Sequence, residues 1–227
     1  MTTLTPILAA AGGILPSLAW LWFWLREDSK NPEPRRLIAL AFAAGMLAVV
    51  IVIPIERYVA QFIINSQTLT FAVWSAIEEV IKFLAALIVV LWRRDNDEPI
   101  DAVIYMVTVA LGFAALENTL FLISPISGNT ALQTIITGDL RFVGATLLHV
   151  LSSATIGATL AFSFYKPFST RVRYAIAGVI LGISLHVAFN FFIMNTQPEN
   201  VMQTFLFVWI GVIVLLAVLE FVKRVKK

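Results

Sequence analysis

The sequence predicts an all-α fold, a polytopic transmembrane helix bundle of about seven spans, and three observations predict it. Hydrophobic residues make up 59% of the 227 and charged residues only 13%, with a mean hydropathy of +0.89; a soluble core of this size has no room for that much apolar surface. The apolar residues fall in seven runs of helical length, each able to cross a hydrocarbon layer about 30 Å thick. The basic residues gather in alternate gaps between those runs. Seven spans of roughly 22 residues leave about nine positions per loop or tail, so residues 1–227 are expected to form a single integral membrane domain.

The first run, Leu4 to Leu25, is preceded by no Lys or Arg and exceeds the apolar part of a cleavable leader, so it is expected to stay as a span. Asn31-Pro32-Glu33-Pro34 separates it from the second, Leu37 to Ile55. The third run, Leu69 to Trp92, ends before Glu98-Pro99, and the fourth, Ala102 to Ile123, ends at Ser124-Pro125. Phe142 to Tyr165 is the fifth, closed by Lys166-Pro167, and Tyr174 to Met194 the sixth, followed by Gln197-Pro198. Val201 to Val222 is the seventh. Proline lacks the N–H a helix interior needs, which is why it marks these joints. No internal repeat or low-complexity tract appears.

Thirteen of the 16 basic residues lie in the first, third and fifth gaps and the tail, at Arg26, Lys30, Arg35, Arg36, Arg93, Arg94, Lys166, Arg171, Arg173, Lys223, Arg224, Lys226 and Lys227. The positive-inside rule makes that side cytoplasmic, placing the N-terminus outside and the C-terminus inside. The +2 net charge therefore sets orientation and gives no reason to expect nucleic acid. With no cysteine, reactive chemistry must rest on Glu, Asp, His, Ser or Thr.

Few ionisable residues remain inside the runs: Glu78, Glu79 and Lys82 in the third, Glu117 in the fourth, His149 in the fifth and His186 in the sixth. A charged side chain at mid-span costs about 2.5 to 3.5 kcal/mol, so four unpaired ones would cost on the order of 10 kcal/mol. They must meet one another or water. Counted along each run at 1.5 Å per residue, Glu78, Glu117, His149 and His186 all lie roughly 9 to 14 Å below the outer boundary, in one layer.

Local spacing adds detail. Glu78 and Lys82 stand at i and i+4, the favourable order for an ion pair, with Glu79 about 100° round the helix. Ala145, His149, Ser153, Gly157 and Ala161 form one stripe, and Gly178, Gly182, His186 and Asn190 another. Such small residues let helices approach closely and are expected to serve packing. Phe113 and Glu117 share a face, with Asn118 following. Glu56, Arg57, Asp139 and Arg141 are expected at the outer interface as snorkelling or solvated charges, and Trp20, Trp22, Trp24 and Trp92 in an interfacial belt.

Two His and one carboxylate make an open-position ligand set for Zn²⁺, leaving another Glu as general base for water attack. No HExxH or GxSxG is present, so ligands would come from separate helices and a serine nucleophile is disfavoured. A proton-coupled carrier using the same Glu/His relay is a second reading, and a non-enzymatic immunity or assembly protein whose polar layer only joins helices is a third.

Glu78-Glu79-x-x-Lys82, Phe113-x-x-x-Glu117-Asn118, His149 with Gly157 eight residues on, and His186-x-x-x-Asn190 resemble the successive motifs of the PrsW-type intramembrane proteases. Asn31-Pro32-Glu33-Pro34-Arg35-Arg36 and Glu98-Pro99-Ile100-Asp101 resemble that family's loops. The wider group, with CAAX prenyl endopeptidases and bacteriocin-processing proteins, shows Glu-Glu-x-x-x-Arg, whereas Lys82 stands at the shorter spacing here. The resemblance implies an intramembrane endopeptidase of a prokaryotic cell membrane, cutting a membrane-anchored protein near its outer face, in the best-known case an anti-sigma factor. It implies Glu78 or Glu79 as base, His149 and His186 as metal ligands with one of the two glutamates (Glu79 in the first instance) or as oxyanion and proton partners, Asn190 as oxyanion stabiliser, and Glu117 and Asn118 as supporting members.

Overall fold

A computed structural model describes residues 4–27, 31–62, 66–123, 131–195 and 201–226; the side chains of residues 131–143, and with them Asp139 and Arg141, lie outside the description. Seven α-helices carry the described chain, and no strand occurs among its residues: α1 (Leu4–Leu25), α2 (Arg35–Phe62), α3 (Gln67–Ala86), α4 (Pro99–Ile123), α5 (Ala131–Phe162), α6 (Phe168–Asn195) and α7 (Val201–Val222). α3 runs on through a π-helical turn, Leu87–Leu91.

Among the described residues, four helical stretches are long and apolar enough to cross a membrane: Arg35–Phe62, Pro99–Ile123, Gly144–Phe162 and Phe168–Phe192; the described parts of α1 and α7, Ala9–Leu25 and Leu206–Val222, are apolar as well. α3 is absent from both groups, and it is the helix that carries Glu78, Glu79 and Lys82.

Three helices outrun the apolar stretches from which they were predicted. α2 continues through Pro54 to Phe62 instead of ending at Ile55, α5 begins at Ala131 instead of Phe142, and α6 begins at Phe168 instead of Tyr174. Hydropathy marks the length facing lipid, whereas backbone hydrogen bonding continues into polar sequence as long as nothing breaks it. At α6 the break is Pro167, whose carbonyl accepts from the N–H groups of Thr170 and Arg171.

α4 is the axis of the bundle. Every residue from Pro99 to Ala115 is buried, and apart from Asp101 in the first turn the enclosed stretch carries no charge. α1, α2 and α5 pack directly on it, α3 lies against α2 and α6, and α7 against α5. α2 and α4 cross so closely that a Cβ on Gly112 would stand 2.0 Å from the Phe42 carbonyl oxygen, and one on Gly45 2.0 Å from that of Val109. Trp24 belongs to this interior and not to an interfacial belt: it is 1% exposed among Leu21, Ile38 and Ala41. Outward, α6 and α7 present Ile180, Leu185, Phe191, Phe207 and Ile213.

Four side-chain hydrogen bonds identify one end of the bundle. Asn31 donates to Glu98 at 2.9 Å, Tyr105 donates to the buried Glu33, and Lys223 donates to Glu27 at 2.8 Å and to Glu220 at 2.7 Å. Partial burial opposes the charge on Lys223, but the two carboxylates outweigh it and hold the ammonium's pKa above its ordinary value. The segments after α1, before α4 and after α7 therefore meet at this end.

Candidate active site

The ionisable residues of α3, α4, α5 and α6 converge. On α3, Glu79 and Lys82 are fully buried and paired, with Lys82 Nζ 2.5 Å from Glu79 Oε1. The i, i+4 pair of Lys82 with Glu78 expected from spacing gives way to this i, i+3 pair. The reason lies on the neighbouring helices: Glu79 faces α5 and α6, where Ser153 Oγ donates to its Oε2 at 3.1 Å and His186 Nδ1 to its Oε1 at 2.8 Å. Three donors converge on Glu79 and compensate for its burial.

Glu78 is also buried, at 7% exposure, yet its Oε2 has no hydrogen-bond partner. That oxygen lies 3.8 Å from His149 Nδ1 and 3.8 Å from His186 Nε2. The imidazoles meet edge to face, their centroids 5.1 Å apart. Each ring is held from behind by an acid: His186 Nδ1 by Glu79, and His149 Nε2 by Glu117 Oε2 at 2.8 Å. A carboxylate only accepts, so these outer nitrogens are the N–H donors, and in the neutral imidazole the inner nitrogen then carries the lone pair. The inner nitrogen of His149 accepts from Lys82 Nζ at 2.9 Å. Phe113 closes one side, its ring 5.3 Å from that of His149 and 4.8 Å below the Lys82 ammonium.

One ligand atom from each of Glu78, His149 and His186 lies within 4.8 Å of the other two. These residues fit a divalent cation. The fit rests on the unpartnered Glu78 oxygen, the lone pair of His186 Nε2, and carboxylates orienting both rings from the far side, the arrangement in which metal-bound histidines are usually held. Ligation by His149 requires the Lys82 ammonium to give up that one contact while keeping Glu79. Of the two α3 glutamates, the geometry puts Glu78 among the possible ligands and Glu79 behind His186.

Asn118 Nδ2 donates to Thr146 Oγ1 at 3.1 Å, joining α4 to α5, and Asn190 Nδ2 donates to Ser75 Oγ at 3.1 Å, joining α6 to α3. Each amide keeps a second hydrogen beyond that bond. Ser153, assigned by its stripe to packing, is a ligand of Glu79, and its position one turn after His149 was the available signal.

Glu56 is the other departure. Expected as a solvated interfacial charge, it is only part-exposed, and its Oε1 is buried without a partner. Its backbone carbonyl accepts from Trp74 Nε1 at 3.1 Å, which pins this turn of α2 to α3. Once α2 continues past Pro54, Glu56 falls on the buried stripe Gly45, Val49, Val52 and Val59 at helical spacing.

Comparison with known proteins gives a consistent picture. Residues 33–219 match the family model described as PrsW family intramembrane metalloprotease. Protease PrsW of Clostridioides difficile (strain 630) is 31% identical over 188 residues, covering 80% of this chain and 77% of its own length. Protease PrsW of Geobacillus kaustophilus (strain HTA426) is 28% identical over 192 residues, covering 82% and 80%. Protease PrsW of Bacillus subtilis (strain 168) is 29% identical over 192 residues, covering 80% of each. No solved structure matches.

Proposed function

Because this chain belongs to the PrsW family of intramembrane metalloproteases and is a membrane peptidase, we propose that it hydrolyses a peptide bond of a membrane-anchored protein at the Glu78, His149 and His186 centre. The observation that carries this reading is the pair of imidazoles, each oriented by an acid, whose inner nitrogens both face the unpartnered Glu78 oxygen at 3.8 Å. When bound there, a divalent cation such as Zn²⁺ supplies Lewis acidity, favouring ionisation of the attacking water and polarising the scissile carbonyl.

The chain's own residues do the rest. Glu79 and Glu117 fix the two imidazoles. Lys82 keeps Glu79 charged and in place, and Phe113 excludes water from that side. Glu78, whose Oε2 has no hydrogen-bond partner, takes the proton of the attacking water and returns it to the leaving amine. The second amide hydrogen of Asn190 steadies the carbonyl oxygen as charge develops on it. Asn118 holds α4 against α5 and so keeps Glu117 and His149 in register.

The reading extends to a single membrane domain of seven spans in a prokaryotic cell membrane, the N-terminus outside and the C-terminus in the cytoplasm. It is supported by the apolar outer surface of α6 and α7 and by the meeting of the basic first and third loops with the tail at one end. An anti-sigma-factor-like protein, anchored by one span and cut near the outer face, is the substrate class that fits.

The test is cleavage of a co-expressed single-span substrate, with metal content and chelator sensitivity measured on purified protein. Glu78→Gln, correctly inserted, is expected to lose activity about 10²-fold or more, and chelation to suppress the wild type. Wild-type cleavage by Glu78→Gln would overturn the assignment.

A further inference from the structure

Two polar rungs tie α3 to α6: Glu79 with His186 at 2.8 Å, and Ser75 with Asn190 at 3.1 Å. The partners step four residues along each helix in opposite directions, so the two helices run antiparallel here. The second rung therefore lies one turn, about 6 Å, from the first. Glu79 and Asn190 belong to the motifs of α3 and α6, whereas Ser75 stands three residues ahead of its helix's motif and in none of them.

Ser75 is fully buried, and its hydroxyl is committed in both senses. The one hydroxyl hydrogen goes to the Phe71 carbonyl, 2.9 Å away on the preceding turn of α3. Toward α6 the oxygen can then only accept, and it accepts from Asn190 Nδ2. A half-turn of an asparagine amide exchanges an oxygen for a nitrogen of nearly the same size, so the hydrogen-bond partner decides which way it faces. Turned over, Asn190 would set Oδ1 against Ser75 Oγ, acceptor against acceptor, or cost the bond to Phe71. The turn that carries Ser75 is itself fixed, because Trp74 Nε1 donates to the Glu56 backbone carbonyl at 3.1 Å and anchors it to α2.

We propose that Ser75 is a positioning residue for the hydrolysis, holding the Asn190 amide with its nitrogen inward so that one hydrogen is bound by Ser75 and the other is left for the developing oxyanion. The proposal rests on the oxyanion role given to Asn190 above. Both amide hydrogens are on one nitrogen, so an overturned amide loses both donors at once and offers lone pairs to a growing negative charge.

The experiment measures kcat and KM on a purified single-span substrate in mixed micelles, with zinc content recorded for each variant. Asn190→Ala removes the donor itself and is expected to lower kcat about 10²-fold. Ser75→Ala leaves the donor but frees its orientation, and is expected to lower kcat about 3- to 10-fold with KM and zinc content unchanged. In the Asn190→Ala background, Ser75→Ala should have no further effect. Ser75→Thr, which keeps the hydroxyl, should turn over faster than Ser75→Ala, whereas a packing role alone would favour the smaller Ala at so buried a position. Ser184→Ala, which loses the same kind of hydroxyl-to-carbonyl bond on the exposed face of α6, should match the wild type. If Asn190→Ala is impaired while Ser75→Ala stays within about two-fold of wild type, or if the two losses multiply in full, the role of Ser75 falls and that of Asn190 stands. If Asn190→Ala turns over as the wild type, both fall together.

Discussion

Glu78 and Glu79 are neighbours in the chain, and the roughly 100° that a helix puts between consecutive side chains sends their carboxylates to different partners. Glu79 collects Lys82, Ser153 and His186, whereas Glu78 Oε2 collects none. The two should therefore fail differently. Glu78→Gln is expected to remove cleavage while leaving the unfolding transition in mixed micelles unchanged or slightly higher, because it replaces a poorly compensated buried carboxylate. Lys82→Met strands Glu79 and should cost about 3 to 5 kcal/mol of stability as well as activity. A Lys82→Met protein as stable as the wild type would show that Glu79 is not ionised. The rarity of ionisable residues in apolar runs made this set legible in the sequence. Which glutamate pairs with Lys82 was not, because i+3 and i+4 spacings are both permitted and Ser153 and His186, more than 70 residues away on other helices, decide between them.

Among the elements, α4 has the strictest requirements, since its neighbours leave no room on any side. The α2–α4 crossing requires glycine on both helices: a methyl on Gly112 would meet backbone and not a movable side chain. Gly112→Ala is expected to cost at least the 1 to 3 kcal/mol of ordinary overpacking, read as a lowered unfolding midpoint, with activity lost in proportion. Unlike Glu78→Gln, it should lower stability and turnover together; undiminished stability would mean that the helices cross less closely. Apolar runs located all seven helices of the described residues, because a helix that buries apolar surface writes it into hydropathy. The ends of α2, α5 and α6 were hidden for the same reason, as they extend beyond the apolar stretch. That error concealed Glu56: with α2 ended at Ile55 it looked like an interfacial charge, and with α2 continued to Phe62 it joins the inward stripe.

At the scale of the whole molecule, the site is displaced toward one end. The loop after α1, the loop before α4 and the tail after α7 meet at the other end through Asn31 with Glu98 and Lys223 with Glu27. Glu56 lies in the last two turns of α2, which starts at that meeting end, and Glu117 lies six residues from the far end of α4. Glu78 lies near the middle of α3 and its π-helical continuation, so it is α2 and α4 that put their acids in the half away from the basic loops. If those loops are cytoplasmic, the scissile bond is reached from outside. The absence of native cysteine permits a clean test by single-cysteine labelling at exposed positions of the two ends. Ser66→Cys, just before α3, should react with an impermeant maleimide in intact cells. Asp95→Cys, between α3 and α4, should react only after the membrane is opened. The reverse pattern would turn the molecule over and require cleavage from the cytoplasmic side. With the expected pattern, moving a substrate's scissile bond inward by seven residues, roughly 10 Å along a helix, should take it out of the acidic layer and suppress cleavage.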